Sequence, residues 1–129
     1  ADGLIVSNHG GRHFDGAPAT IDILPAIVSA VGSRATVMID SGIRRGNDVL
    51  KAIALGADFV FIGRPFIYAA AIGGQAGVAH AIRLLSHEIL QDMALLGVSS
   101  LRELGPHVLS EHRSRANGIK LDDKAALAG

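Results

Sequence analysis

The chain contains no cysteine, which excludes disulfide cross-links and any metal centre built on thiolates. Aromatic residues are scarce, with 4 Phe, 1 Tyr and no Trp, too few to suggest a platform for stacking bases. Excess charge is missing as well. The 12 Lys and Arg balance the 12 Asp and Glu, so no overall field draws the chain to nucleic acid or to an anionic membrane. Nothing resembles a signal peptide, and no apolar run approaches the roughly 20 residues of a membrane span; a cytoplasmic location is the expectation. What the sequence does have is glycine, 16 in 129 residues, and an apolar share of 49%. Together these describe a globular domain with many tight turns, long enough to bury a core.

The apolar stretches alternate in kind. Leu4–Val6, Thr36–Ile39 and Phe59–Ile62 are short and rich in β-branched or aromatic residues, as buried strands are. Between them, Ala19–Val31 carries Ile23, Leu24, Ile27, Val28 and Val31 at helical spacing, with Thr20 or Asp22 available as a cap. Asn47–Leu55 repeats the pattern with Val49, Leu50, Ile53 and Ala54, and Gly56 stands at the usual helix stop. A long helix is expected over Gln75–Leu96, with Val78, Ile82, Leu85, Ile89 and Met93 on one face, and Ser100 with Glu103 can form a capping box. From Ser110 the chain turns polar and charged. The order β-α-β-α-β-α with apolar strands calls for a parallel sheet covered by helices. Ala1-Asp2 before the first strand echoes Ala57-Asp58 before the third, where a helix has just ended. By that echo the chain starts where an earlier helix should end. Three βα units cannot close an eight-stranded barrel of about 250 residues, so the expectation is a carboxyl-terminal barrel portion over 1–109, a polar tail over 110–129, and the remaining strands supplied from elsewhere.

In parallel α/β folds, function gathers at the carboxyl ends of the strands, and all three ends here carry unusual polar residues. The first reads Ser7-Asn8-His9-Gly10-Gly11-Arg12. His exchanges protons near neutral pH, and Arg grips a carboxylate with two parallel hydrogen bonds. A base beside a carboxylate clamp suggests proton removal from a small carboxylic acid. The second and third ends read Asp40-Ser41-Gly42-Ile43-Arg44 and Gly63-Arg64-Pro65. Glycines let backbone N–H groups approach phosphate oxygens, and Arg44 and Arg64 add charge-assisted bonds. Asp40 suits the hydroxyls of a sugar or polyol. A ligand with hydroxyls at one end and phosphate at the other, such as a flavin mononucleotide, answers both loops.

With these residues in this order the chain resembles the FMN-dependent 2-hydroxy acid oxidases and dehydrogenases, over about Ala1–Leu109. The resemblance implies the last three βα units of a TIM (β/α)8 barrel and an oxidoreductase that converts an L-2-hydroxy acid, such as lactate or glycolate, to the 2-oxo acid with FMN as cofactor. It implies His9 as catalytic base, Arg12 as ligand of the substrate carboxylate and Ser7 as a flavin-ring contact. Asp40, Ser41, Gly42, Ile43, Arg44, Gly63 and Arg64 fall on the contacts to the ribityl chain and phosphate. It further implies the missing amino-terminal part of the barrel as a partner, homo-oligomerisation as a tetramer, and for the intact enzyme a cytoplasmic place that extends to the inner face of a membrane. The family often reads Gln-Leu-Asp after the arginine, where this chain has His13-Phe14-Asp15. Its flavin-contacting lysine, substrate-binding tyrosines and the aspartate supporting the histidine precede the stretch corresponding to Ala1.

Other features have plainer readings. His9 and His13 stand four apart, a metal spacing on a helix, but Gly10-Gly11 between them argues against one, and no metal is expected. His80, His87, His107 and His112 read as helix-surface or tail residues, and His87-Glu88 lacks the second histidine of a zinc-protease motif. Arg45 is expected to face solvent, Met93 the core, and Phe59, Phe61 and Phe66 are expected to pack. Two other functions fit part of the pattern: a phosphate-binding barrel enzyme without redox chemistry, and an inactive half-barrel acting as an assembly module through unpaired strand edges.

Overall fold

Three apolar strands joined by helical segments are most simply accommodated as a parallel sheet, because a parallel neighbour needs a long crossover. The computed structural model, which describes residues 1–110, has this form. Strands β1 (Gly3–Val6), β2 (Thr36–Ile39) and β3 (Phe59–Val60) lie in that order in one parallel sheet. Helix α1 (Thr20–Val31) links β1 to β2, α2 (Gly46–Ala54) links β2 to β3, and α3 (Arg64–Leu96) comes after β3. The polar tail expected from 110 onward, with His112, lies past Ser110 outside the described residues.

Register places Leu4 beside Val37, Val6 beside Ile39, and Ile39 beside Val60, so these side chains share a face. Val6, Val37 and Ile39 cluster there with Leu24 of α1, Ile43, Ala52 of α2 and Ala57. Leu24 and Ile39 are fully buried. The opposite face carries Ile5, Met38 and Phe59 in register. Ile5 and Phe59 are 49% and 53% exposed there, and the Phe59 and Phe61 rings meet edge to face at 4.9 Å. The burial expected of the first strand therefore holds for Val6 and not for Ile5. Helices cover one side of this sheet.

Several elements depart from expectation for local reasons. β3 stops at Val60 rather than Ile62, although the Phe61 amide still donates to the Ile39 carbonyl at 2.8 Å. α3 begins at Arg64, not Gln75. Pro65 occupies its first turn, where a missing N–H costs nothing, and the non-helical Gly73-Gly74 pair divides the helix. Gln75–Leu96 is thus its second segment. Along that segment Met93 is buried, Val78, Leu85 and Ile89 are half-buried, and Ile82 breaks the expected face at 51% exposure. Neither Thr20 nor Asp22 caps α1: Ala19 is the cap residue and no side chain bonds there. Thr20 is instead the buried first residue of α1, and its hydroxyl donates to the carbonyls of Asp40 at 2.8 Å and Ser41 at 3.2 Å. The capping box at Ser100 and Glu103 does not close. Ser100 accepts from the Arg102 amide, Glu103 accepts from the Ser99 hydroxyl, and the segment is a single 3-10 turn.

Leu24→Ala should lower unfolding free energy by about 2–5 kcal/mol, the usual cost of emptying a buried leucine site. Ile82→Ala should change it by less than about 0.5 kcal/mol, as exposed substitutions do. Denaturant unfolding of the two variants checks the pair, and equal losses would overturn the assigned core.

Candidate active site

Because the strands are parallel, their carboxyl ends emerge at one edge, and the loops beyond them share a cleft of about 870 Å³. His9, Arg12, Asp40, Ser41, Gly42, Ile43, Arg44, Gly63 and Arg64 line it. Ser7, also singled out from the sequence, is not among the lining residues; its hydroxyl accepts the His9 amide at 3.1 Å.

The first loop is a tight left-handed turn. His9, Gly10 and Gly11 have φ of 53°, 67° and 75°. Glycine adopts this region freely, whereas a residue with a Cβ is held there at a cost of about 1–2 kcal/mol. Asn8 secures the turn, accepting the Gly10 amide on Oδ1 at 3.0 Å and donating from Nδ2 to the Pro18 carbonyl at 3.2 Å. The strained residue is the one whose imidazole faces the cleft, a pattern found at functional sites. The His13 ring packs edge to face against the His9 ring at 4.9 Å.

The second loop continues the left-handed theme, with φ of 70° at Ser41 and 82° at Gly42. Asp40 Oδ1 accepts the Ser41 hydroxyl at 2.7 Å. Ile43 is 6% exposed and part of the core, so only its backbone is placed to meet a ligand. The Arg44 and Arg45 amides both donate to Asp48 Oδ2 at 3.0 Å. Arg45, expected to face solvent, is exposed but engaged: its guanidinium pairs with Glu88 at 3.2 Å. Arg44 is exposed and enters no ion pair among the described residues.

The third loop is the start of α3. Gly63 is the cap residue, no side chain bonds there, and the first turn holds no acidic residue, so the positive helix end is left for an anion. The Arg64 guanidinium reaches across to the Gly10 carbonyl at 3.4 Å. A Cβ added at Gly42 or Gly63 would meet nothing within 4 Å, so both backbones are open to a ligand. Two arginines, bare glycine backbone and an uncapped helix end fit a phosphate; the adjacent Asp40 carboxylate fits hydroxyls. His9 and Arg12 line the same cleft.

Pro65 of the third loop, Phe61 and Ile62 also line it, as do Ile67 and Tyr68, which were not singled out from the sequence. The available signal was Pro65, a helix-start residue. With α3 started there, Tyr68 falls one turn beyond Arg64 on the same face.

The pattern of the FMN-dependent dehydrogenase family matches residues 1–111. An L-lactate oxidase of Nostoc sp. is 54% identical over 104 residues, which are 81% of this chain and 28% of that protein. A flavocytochrome b2 variant with sulfite bound superposes with a TM-score of 0.84 at 40% identity, over 95% of this chain and 33% of its own. A mandelate oxidase variant with the monooxide FMN adduct superposes with a TM-score of 0.76 at 49% identity, over 79% of this chain and 32% of its own. The chain therefore spans about a third or less of each of these proteins.

The two positive-φ glycines at the cleft should respond differently to a methyl group. Gly42→Ala meets open space and should cost only the left-handed penalty, about 1–2 kcal/mol. Gly10→Ala carries the same penalty and puts its Cβ 2.8 Å from the Arg64 guanidinium, which can swing aside but gives up its bond to the Gly10 carbonyl, adding at most about 1 kcal/mol. Equilibrium unfolding compares them, and a smaller loss at Gly10 would contradict the Gly10–Arg64 contact.

Proposed function

The chain belongs to the FMN-dependent dehydrogenase family, and from that premise we propose that it forms the carboxyl-terminal part of the active site of an FMN-dependent 2-hydroxy acid oxidoreductase. The observation that carries the reading is the shared cleft, which puts an imidazole and a guanidinium opposite two arginine-bearing, glycine-opened loops. Its volume suits a small-molecule site, for which about 300–1,000 Å³ is usual.

The flavin phosphate would be held by Arg44, Arg64 and the backbone of Gly42, Ile43 and Gly63, and the ribityl hydroxyls by Asp40 with Ser41. When bound, FMN supplies the acceptor for two electrons. Arg12 binds the carboxylate of the substrate through its planar fork, fixing which carbon faces the cofactor. His9 takes one proton from the substrate, at the carbon or at its hydroxyl, as the 2-hydroxy acid becomes the 2-oxo acid. The left-handed turn at His9–Gly11 limits where that imidazole can go, so orientation is built in before substrate arrives. Ser7, bonded to the His9 amide, supports this turn as well as offering a flavin-ring contact. Lactate and glycolate are the substrates proposed.

The open sheet face of Ile5, Met38, Phe59 and Phe61 is the kind of surface that a closed barrel turns inward. Accordingly the three βα units are read as the last three of a TIM barrel, with the other strands contributed by further polypeptide and the whole assembled as a homo-oligomer.

Changing His9 to Gln should leave flavin bound while slowing its reduction in the intact enzyme by roughly 10²–10⁴-fold. Stopped-flow reduction at the unmodified rate would remove His9 from the role of base. Arg12→Lys should weaken substrate binding and turnover with FMN affinity nearly unchanged, since a point charge cannot reproduce the fork. Arg64→Ala should do the reverse, with a loss of about 1.5–3 kcal/mol in flavin binding. Identical phenotypes for these two variants would refute the division into substrate and phosphate ends.

A further inference from the structure

Two neighbouring arginines come directly after Ile43, yet only one is free to meet a ligand, and the residue that makes the difference lies more than forty positions away. Glu88, on the second segment of α3, has its side chain 24% exposed. Its Oε1 accepts from Arg45 Nη1 at 3.2 Å and its Oε2 accepts the amide of Gly46, the first residue of α2, at 2.8 Å. Gly46 is buried, and a Cβ there would fall 2.7 Å from both the Glu88 Cβ and the Ile89 backbone nitrogen. The two helices therefore touch at this point with no room to slide. Asp48 holds the same stretch from the other side through the Arg44 and Arg45 amides.

We propose that Glu88 is a positioning residue for the phosphate end of the cleft: it neutralises Arg45, pins the start of α2, and thereby leaves Arg44 as the arginine of this loop that answers an anion. The inference rests on the reading of that end as the flavin-phosphate site. A carboxylate anchored on Arg45 and Gly46 cannot also draw Arg44 away. Without its charge, the Arg45 guanidinium would be released beside Arg44. The charge of Glu88 at a helix start is favourable in itself, but stability alone would not require that it also bind Arg45.

The test uses two ligands that differ by the phosphate alone. FMN and riboflavin are titrated into the flavin-free intact protein and into its Glu88→Gln variant, with quenching of flavin fluorescence as readout, and the preference for FMN over riboflavin is the quantity compared. Gln keeps the length of the side chain and can still accept the Gly46 amide, so the fold should persist; thermal unfolding of both proteins verifies it. The expected result is a preference raised by roughly 5- to 20-fold, because the Arg45 guanidinium is released and a negative charge leaves the phosphate end, with riboflavin affinity unchanged. Arg45→Met should lower the preference instead, because it leaves the Glu88 carboxylate uncompensated and free to attract Arg44. An equal fall in affinity for both ligands, or an unchanged preference in Glu88→Gln, would overturn the positioning role while leaving the phosphate reading intact. An unsubstituted intact protein that bound FMN no better than riboflavin would instead overturn the phosphate reading, and the role of Glu88 with it.

Discussion

Ser41 holds its backbone in the left-handed region at φ 70°, and from there its hydroxyl donates to Asp40 at 2.7 Å and accepts the Gly10 amide at 3.0 Å. The rest of the cleft is arranged around that junction. Gly10 belongs to the turn that presents His9, and its carbonyl receives the Arg64 guanidinium from the third loop. The Ser41 carbonyl, with that of Asp40, accepts the buried hydroxyl of Thr20 at the head of α1. One serine thus joins two loops to a helix that is seated in the core through Leu24, and the third loop is tied in through Gly10. A β-branched residue would be strained at that φ, and glycine would supply the conformation without the hydroxyl. Serine meets both demands.

Charge in the cleft is divided by the backbone before any ligand is considered. The helix end at Gly63 carries no acidic residue in its first turn, whereas the start of α2 is answered by Asp48 and Glu88. The two helix starts are therefore not equivalent, although each comes after a strand and a glycine-containing loop. The α2 start is satisfied within the protein, and the α3 start faces the cleft. The asymmetry concerns the two helix ends alone, since Gly42 and Arg44, just before α2, line the cleft together with Gly63 and Arg64. What counts against a phosphate-binding enzyme without redox chemistry is membership of the FMN-dependent dehydrogenase family, since an open helix end would serve either.

Short-range features were legible. β2 runs over the residues its pattern marks, Thr36–Ile39, because four apolar or β-branched residues between breakers have few alternatives. Gly56, at φ 101°, stands just past the end of α2 as its position in the sequence implies. The residues of the cleft were legible too, since a parallel sheet sends every strand end to one edge. Contacts spanning large separations could not be read. Thr20 looks like a cap from its place before an apolar run, but its hydroxyl is taken by Asp40 and Ser41, about twenty positions on. Glu88 looks like a surface residue of a long helix, since nothing near it in sequence announces Gly46 as its partner. The first segment of α3 is hidden for a different reason: Gly63-Arg64-Pro65 reads as a turn, and the Gly73-Gly74 break masks the continuity of the helix across it.

The sheet itself sets the final relation between fold and site. Its helix-covered face holds the loops' anchors, with Ile43 buried among Val6, Val37 and Ile39, so the second loop is stitched to the core one residue beyond its glycine. Its other face exposes Ile5 and Phe59, apolar side chains in register that a lone sheet would leave wet at a cost of about 25 cal/mol for each Å². Placing an apolar face directly beneath a cleft lined with charged groups is unfavourable for an isolated sheet and favourable for a closed barrel, where that face becomes a packed floor under a polar rim. The left-handed residues His9, Ser41 and Gly42 are held instead from the helix-covered side, through Ile43 in the core and through the Thr20 hydroxyl on the Asp40 and Ser41 carbonyls.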